Sequence, residues 1–267
     1  MYRTAIISFI DILGFKNLVN NSTYEQLSEK LETVRRLSGD DDGLNGEGLE
    51  PKVIQFSDSI IRIRPLDSDI NKETPYGVMF YEMLDLVHMQ SELINHGVCV
   101  RGGVSIGKVH FDDYTLFGPG FVSAYEMESL FANYPRIVID PVLIQLLGND
   151  SLLFSDHNSV DDELRSIKKN ITKGSDGLYF VDYLRSFQTE VDHAEDIPLF
   201  LNNHRQIIIK NASGANNLTS VSAKYLWMST YHNEVVNELC DKWLENFGLS
   251  KRELLISTDD IPMLKAL

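Results

Sequence analysis

Ala5-Ile6-Ile7-Ser8-Phe9-Ile10-Asp11-Ile12-Leu13-Gly14-Phe15 and Val53-Ile54-Gln55-Phe56-Ser57-Asp58-Ser59-Ile60-Ile61-Arg62-Ile63 share one design: a phenylalanine, a single spacer and an aspartate inside an apolar, β-forming run. The first run, residues 3–12, is predicted to be a buried strand ended by Gly14. The second is predicted to be a β-hairpin over 52–64 with Ser57-Asp58-Ser59 near its turn. Aspartates usually sit in polar loops. A carboxylate buried without a partner costs several kcal/mol, and two close together also repel. If the strands are neighbours, a divalent cation between Asp11 and Asp58 is the simplest relief, and two carboxylates holding Mg²⁺ or Mn²⁺ are a common grip for a nucleoside triphosphate. Two satisfied polar residues at strand ends are the alternative.

The remaining punctuation fixes the element order. Thr23-x-x-Gln26 forms a capping pattern ahead of Leu27, Leu31 and Val34 at helical spacing. Gly39 to Pro51 is acidic and glycine-rich, the composition of a solvated loop. Pro75 stands at a first helical position, Val78, Tyr81, Leu84, Val87 and Ile94 mark a buried face, and Gly97 supplies the C-terminal cap. Residues 98–111 form a strand carrying Gly102, Gly103 and Gly107, where close helix-on-sheet packing is the commoner use of glycine. A helix over Pro119–Phe131 and a strand over Arg136–Asp140 follow. The order β-α-β-β-α-β-α-β fits an α+β fold, a ferredoxin-like palm of antiparallel sheet with helices on one face. Residues 1–147 are expected to be the core and 148–267 an accessory, largely helical layer packed on it. In that layer 177–187 reads as a strand or short helix, and two helices are expected over 193–210 and 219–247.

Composition narrows the partners. The chain has 267 residues, 43% hydrophobic, with 39 acidic against 24 basic residues and a formal charge of −15. Such a surface repels nucleic-acid backbones and anionic membranes, so neither is expected as a partner. No apolar run reaches the ~20 residues of a membrane span. Asp11 interrupts the N-terminal apolar stretch and no small-residue cleavage site follows, so a signal peptide is not expected. Cys99 and Cys240 are the only cysteines, in segments read as buried. A reduced, cytoplasmic protein without a zinc site is expected. The seven histidines have no metal-ligand spacing, and Trp227 and Trp243 are expected in packing.

Four elements in order resemble the class III nucleotidyl cyclase catalytic domain. They are Phe9-Ile10-Asp11-Ile12-Leu13-Gly14-Phe15, Phe56-Ser57-Asp58, the glycine-bearing strand Val100-Arg101-Gly102-Gly103-Val104-Ser105-Ile106-Gly107, and Phe117-Gly118-Pro119-Gly120-Phe121-Val122-Ser123-Ala124. They cover about the first 140 residues. The resemblance implies two ions of Mn²⁺ or Mg²⁺ with Asp11, Ile12 and Asp58 as ligands, catalysis by Asp11 and Asp58, and a homodimer with composite sites. Small residues beside both aspartates let phosphates approach backbone N–H groups. Those small residues are Gly14, Ser57 and Ser59; Gly14, Phe15 and Ser57 are expected at the substrate. Arg101 either contacts phosphate or pairs with an acid of its own sheet; Lys108 is a second cationic candidate, and Tyr114 and Thr115 are candidates for the base.

Departures from the family pattern bear on specificity. The family helix V-N-x-A-x-R, whose Asn orients the ribose and whose Arg stabilises the transition state, finds Val122 and Glu126 here, or Ser123 and Met127 with a one-residue shift. The adenine-selecting Asp falls on Thr115. The helix Ala124-Tyr125-Glu126-Met127-Glu128 is similar to that of the pyrimidine cyclases of bacterial anti-phage defence, the Pycsar branch. The resemblance therefore implies conversion of a pyrimidine triphosphate, UTP before CTP, to a 3′,5′-cyclic nucleotide and pyrophosphate. A purine cyclase and a non-catalytic nucleotide-binding domain remain the alternatives.

Overall fold

A computed structural model describes residues 1–39, 50–213 and 219–261; most of the expected loop between Gly39 and Pro51 lies outside the described residues. Strand β1 (Arg3–Ile12) is followed by helices α1 (Phe15–Asn21) and α2 (Tyr24–Leu37), then by the hairpin of β2 (Lys52–Phe56) and β3 (Ser59–Pro65). The short α3 (Ile70–Glu73) precedes the long α4 (Val78–Asn95), so Pro75 lies just outside the helix it was expected to open. Strand β4 (Val100–Phe111) turns back through β5 (Leu116–Phe117) into α5 (Pro119–Glu126), which continues as a π-helical turn over Met127–Phe131 and leads to β6 (Ile137–Ile139). Beyond these come α6 (Pro141–Leu146), α7 (Val160–Lys169), β7 (Ile171–Lys173), β8 (Tyr179–Val181), α8 (Tyr183–Glu190), α9 (Asp196–Ser213), α10 (Thr219–Glu238), α11 (Asp241–Glu245) and α12 (Lys251–Leu254).

The sheet order is β2-β3-β1-β4-β6-β8-β7, with β5 paired to β4. Its first four strands are antiparallel neighbours in the ferredoxin-like arrangement expected from the sequence, and β6 joins parallel to β4. The α2 cap forms as its sequence dictates: Thr23 accepts from the Gln26 N–H while the Gln26 side chain accepts from the Thr23 N–H. Gly97 ends α4 at a φ of 72°.

Alternation along β1 divides the core into two faces. Ala5, Ile7 and Phe9 join Ile61, Ile63, Val109 and Ala124 in one apolar cluster beneath α5. The opposite face meets α4 and is partly ionic. Arg62 and Arg64 of β3 both bridge Glu82 and Asp85, and the Ser8 hydroxyl donates to Glu82 at 2.7 Å. Burial opposes the Glu82 charge, but the two guanidinium groups outweigh it and hold the carboxyl down to about 2. Breaking such a buried network at one member leaves an uncompensated charge, which is costly even where the intact network adds little stability.

The chain forms two compact units: Met1–Leu93 with Cys99–Tyr183, and Ile94–Val98 with the chain from Leu184 on. The first unit thus runs past the boundary expected at Leu147, because β7 and β8 extend the sheet through β6. The second unit is helical. Ile197, Phe200, Leu201, Ile207 and Ile208 of α9 and Met228, Tyr231, Val235 and Val236 of α10 are buried. Within it His204 and His232 face each other, Nδ1 to Nδ1 at 3.0 Å, and His232 Nε2 lies 2.9 Å from the Leu254 carbonyl. That carbonyl can only accept, so His232 carries its proton on Nε2 and takes the His204 N–H on Nδ1. Trp227 stacks on Tyr231, and Trp243 packs against Phe247, the structural roles expected of them. Cys99 is buried, its thiol pushed up to about 12 by burial; Cys240 is exposed ahead of α11, against expectation, because the short α11 begins a new segment there.

Candidate functional site

Asp11 is the penultimate residue of β1, on the same strand face as Phe9 and Ile7. Phe9 fixes that end of the strand by packing edge-on against Tyr125 at 5.4 Å and against Phe121 at 6.0 Å. Asp11 stands opposite Ser59 of β3 and opposite Arg101 of β4. Asp58 occupies the two-residue turn between β2 and β3, and its carbonyl accepts from the Ile12 N–H at 3.1 Å. The two carboxylates thereby meet at one end of the sheet. Burial raises the Asp11 pKa first, the neighbouring Asp58 charge adds to the rise, and Arg101 opposes both.

The hairpin reaches this end through an unusual residue. Ser57 has a φ of 57°, among the described residues the one non-glycine in the left-handed region. That conformation costs a non-glycine residue about 1–2 kcal/mol, and such strain clusters at functional positions. Both Ser57 and Gly14 are exposed, with Gly14 at a φ of 74°, so the backbone beside each aspartate is open. Phe15 begins α1, half-buried. The Ile12 side chain is a buried hydrocarbon without a donor atom, so only its backbone carbonyl has the chemistry to serve a metal.

Arg101 links the site to the helix behind it. Its Nη2 lies 2.7 Å from Glu128 Oε1 and its Nε 3.6 Å from Asp11 Oδ2. Glu128 sits on the π-helical turn, a departure from α-geometry that recurs at functional sites. Gly103 lets that turn approach: a Cβ there would stand 2.4 Å from Met127 Cβ and 2.6 Å from the Glu128 nitrogen.

The structure does not bring every candidate to this place. Lys108 pairs with Thr4, at the far end of β4. Seven residues from Arg101, it lies about 23 Å along the strand. Tyr114 and Thr115 lie in the hairpin between β4 and β5, where both their N–H groups donate to Asp112 Oδ1, and Tyr114 is 97% exposed. Asp11, Asp58, Ser57, Gly14 and Arg101 therefore come together at one end of the sheet, and Lys108, Tyr114 and Thr115 lie away from it.

Among the described residues no three His, Cys, Asp or Glu side chains converge as a metal cluster. A pair of partly exposed, mutually repelling carboxylates fits Mg²⁺ or Mn²⁺ nonetheless, because these hard ions are bound through one or two carboxylates with water and phosphate oxygens completing the shell. No helix among the described residues is long and apolar enough to cross a membrane.

No family model and no curated protein matches the chain. Similar solved structures include a bacterial light-regulated adenylyl cyclase, 13% identical over 78% of this chain and 99% of that one, with a TM-score of 0.41. The catalytic core of a rhodopsin-guanylyl cyclase with converted specificity, in complex with ATPalphaS, is 14% identical over 67% of this chain and 95% of that one, with a TM-score of 0.36. The guanylyl cyclase Cya2 is 10% identical over 68% and 92%, at 0.29. These neighbours are adenylyl and guanylyl cyclases.

Proposed function

We propose that this chain is a metal-dependent nucleotidyl cyclase that converts a pyrimidine nucleoside triphosphate, UTP in preference to CTP, to its 3′,5′-cyclic monophosphate and pyrophosphate. Its product would be a second messenger in bacterial anti-phage defence. The observation that carries the proposal is the meeting of Asp11 and Asp58, with Arg101 beside them, where the backbone around Gly14 and Ser57 is open.

In this scheme Asp11, Asp58 and the Ile12 carbonyl hold the Mg²⁺ or Mn²⁺ ions. When bound, these ions lower the pKa of an attacking hydroxyl and neutralise phosphate charge. The ribose 3′-oxygen forms a bond to the α-phosphorus, the bond from that phosphorus to the bridging oxygen breaks, and pyrophosphate leaves with its electron pair; the hydroxyl proton passes to solvent. The chain supplies position and charge. Arg101 offsets charge on the polyphosphate, and the N–H groups near Gly14, Phe15 and Ser57 cradle its oxygens.

In this scheme base recognition falls to Tyr114 and Thr115, and Lys108 serves the triphosphate. These residues stand at the other end of β4 from Asp11. A two-fold homodimer resolves the separation by setting one chain's aspartates against its partner's Lys108 end. Purified protein incubated with Mn²⁺ and an equimolar mixture of ATP, GTP, CTP and UTP tests the proposal by mass spectrometry of the products. Cyclic UMP is the expected product. Predominant cyclic AMP or cyclic GMP would refute pyrimidine selectivity, predominant cyclic CMP the ranking alone, and no cyclic nucleotide the activity itself.

A further inference from the structure

Arg101 stands between two carboxylates and is held by the more deeply buried one. The Glu128 side chain is 4% exposed against 22% for Asp11, and its contact with the guanidinium is the shorter, 2.7 Å against 3.6 Å. Attraction strengthens as distance and local dielectric fall, so Glu128 is the dominant partner on both counts. Its place is rigid. The π-helical turn that carries it is pressed against Gly103 of β4, and the guanidinium also donates through Nη1 to the Ala132 carbonyl just beyond that turn, at 3.4 Å. Asp11 is nevertheless the cross-strand partner of Arg101, directly opposite it on the same sheet face. Without the Glu128 charge, Asp11 remains within ion-pair reach of the arginine.

Resting on the assignment of Asp11 and Asp58 as the metal-holding pair, we infer that Glu128 is a positioning residue that draws the Arg101 guanidinium off Asp11 and keeps that carboxylate open to a divalent cation. A guanidinium closed onto a carboxylate makes two parallel charge-assisted hydrogen bonds, which a cation would have to displace. Glu128 prevents that closure while leaving the positive charge at the rim of the site.

Titration of free Mn²⁺ by electron paramagnetic resonance, on wild type, Glu128→Gln, Arg101→Gln and the double variant, tests this without reference to turnover. Glu128→Gln is expected to weaken Mn²⁺ binding about tenfold, since an unrestrained arginine then competes for Asp11. Arg101→Gln should bind at least as tightly as wild type, and the double variant should match Arg101→Gln, because Glu128 acts only through the arginine. Wild-type affinity in a folded Glu128→Gln protein overturns the inference. A double variant as weak as Glu128→Gln overturns it too, pointing to distortion of the π-helical turn, and so does absence of Mn²⁺ binding from both wild type and Arg101→Gln. Thermal melts accompany each titration. If Glu128→Gln fails to fold, Glu128→Asp takes its place: the shorter side chain should restrain the arginine less and weaken Mn²⁺ binding, and unchanged affinity overturns the role. Cyclic-nucleotide formation is measured on the same samples. Its absence with the Mn²⁺ ordering intact removes the cyclase assignment alone, and turnover with the ordering lost removes the role of Glu128 alone.

Discussion

Replacing Asp11 with Asn should stabilise the metal-free protein. The carboxylate is mostly buried, near a second carboxylate, and its pKa lies above the ordinary aspartate value. The folded state therefore holds the Asp11 proton more tightly than the unfolded state, and stability from this group falls as pH rises through its folded pKa. Arg101 works the other way. At 3.6 Å its attraction is about 1 kcal/mol in a water-like dielectric and about 5 kcal/mol at an effective dielectric of 20. The raised pKa means that burial and Asp58 together exceed this attraction. Every tenfold gain in proton affinity on folding corresponds to about 1.4 kcal/mol, and about 1 kcal/mol moves the melting temperature of a domain this size by roughly 2–4 °C. Calorimetry in EDTA at pH 7.5 should give Asp11→Asn a higher melting temperature than wild type. The gain should vanish at about pH 3.5, below the ordinary aspartate value, where wild-type Asp11 is itself protonated. Added Mn²⁺ should raise the melting temperature of wild type and not of the variant, since ligand binding to the folded state alone stabilises it. A variant that melts below wild type in EDTA would mean that Arg101 outweighs both burial and Asp58, and would refute the electrostatic account of the site.

Asp11→Ala and Asp58→Ala should each abolish cyclic-nucleotide formation while circular dichroism stays native; turnover by either purified variant would remove the metal assignment. Gly103→Ala should destabilise the first unit by about 1–3 kcal/mol, as overpacking does, because the new methyl group meets Met127 and backbone atoms of Ala124 and Glu128; urea melts that coincide with wild type would contradict the close contact. Burial depresses the His232 pKa to about 4, so stability from its neutral form is complete above about pH 6.5 and is lost on acidification through about 4. The loss is on the order of 3 kcal/mol, and flat hydrogen-exchange protection of α9 and α10 from pH 7 to 4 would speak against it. Specific activity should fall on dilution as a dimer dissociates, and full activity from a monomer by light scattering would exclude a shared site.

The first strand, the hairpin and the two aspartates were legible because each depends on local pattern: an apolar run, period-two alternation, a short turn. The ferredoxin-like order followed from counting such elements. Past Leu147 local pattern thins out. Strands β7 and β8 have three residues each and owe their place to pairing with β6, a long-range fact that no window of sequence carries. The π-helical turn was hidden because one extra residue barely disturbs helical spacing over Pro119–Phe131. The ionic cluster of Arg62, Arg64, Glu82 and Asp85 was missed since it joins a strand to a helix. Its one signal was two arginines two apart in an otherwise apolar strand, which places both on one face.

Lys108 illustrates a different limit. In sequence it stands seven residues from Arg101 and looks like a second cation of the same site. Strand β4 has twelve residues and spans roughly 40 Å, so nearness along the chain becomes distance in space. The same extension gives the proposed dimer its logic. Antiparallel pairing with β1 puts Arg101 beside Asp11 and Lys108 beside Thr4, at opposite ends of the same two strands. No rotation of a side chain closes that gap. A two-fold axis sets unlike ends of two chains face to face and does so twice, because an isologous contact repeats itself. Each chain then lends its aspartates to one site and its Lys108 end to the other. Mixing Asp58→Ala with Lys108→Ala should therefore restore one intact site per heterodimer from two inactive parents, a result that a site built within one chain cannot produce.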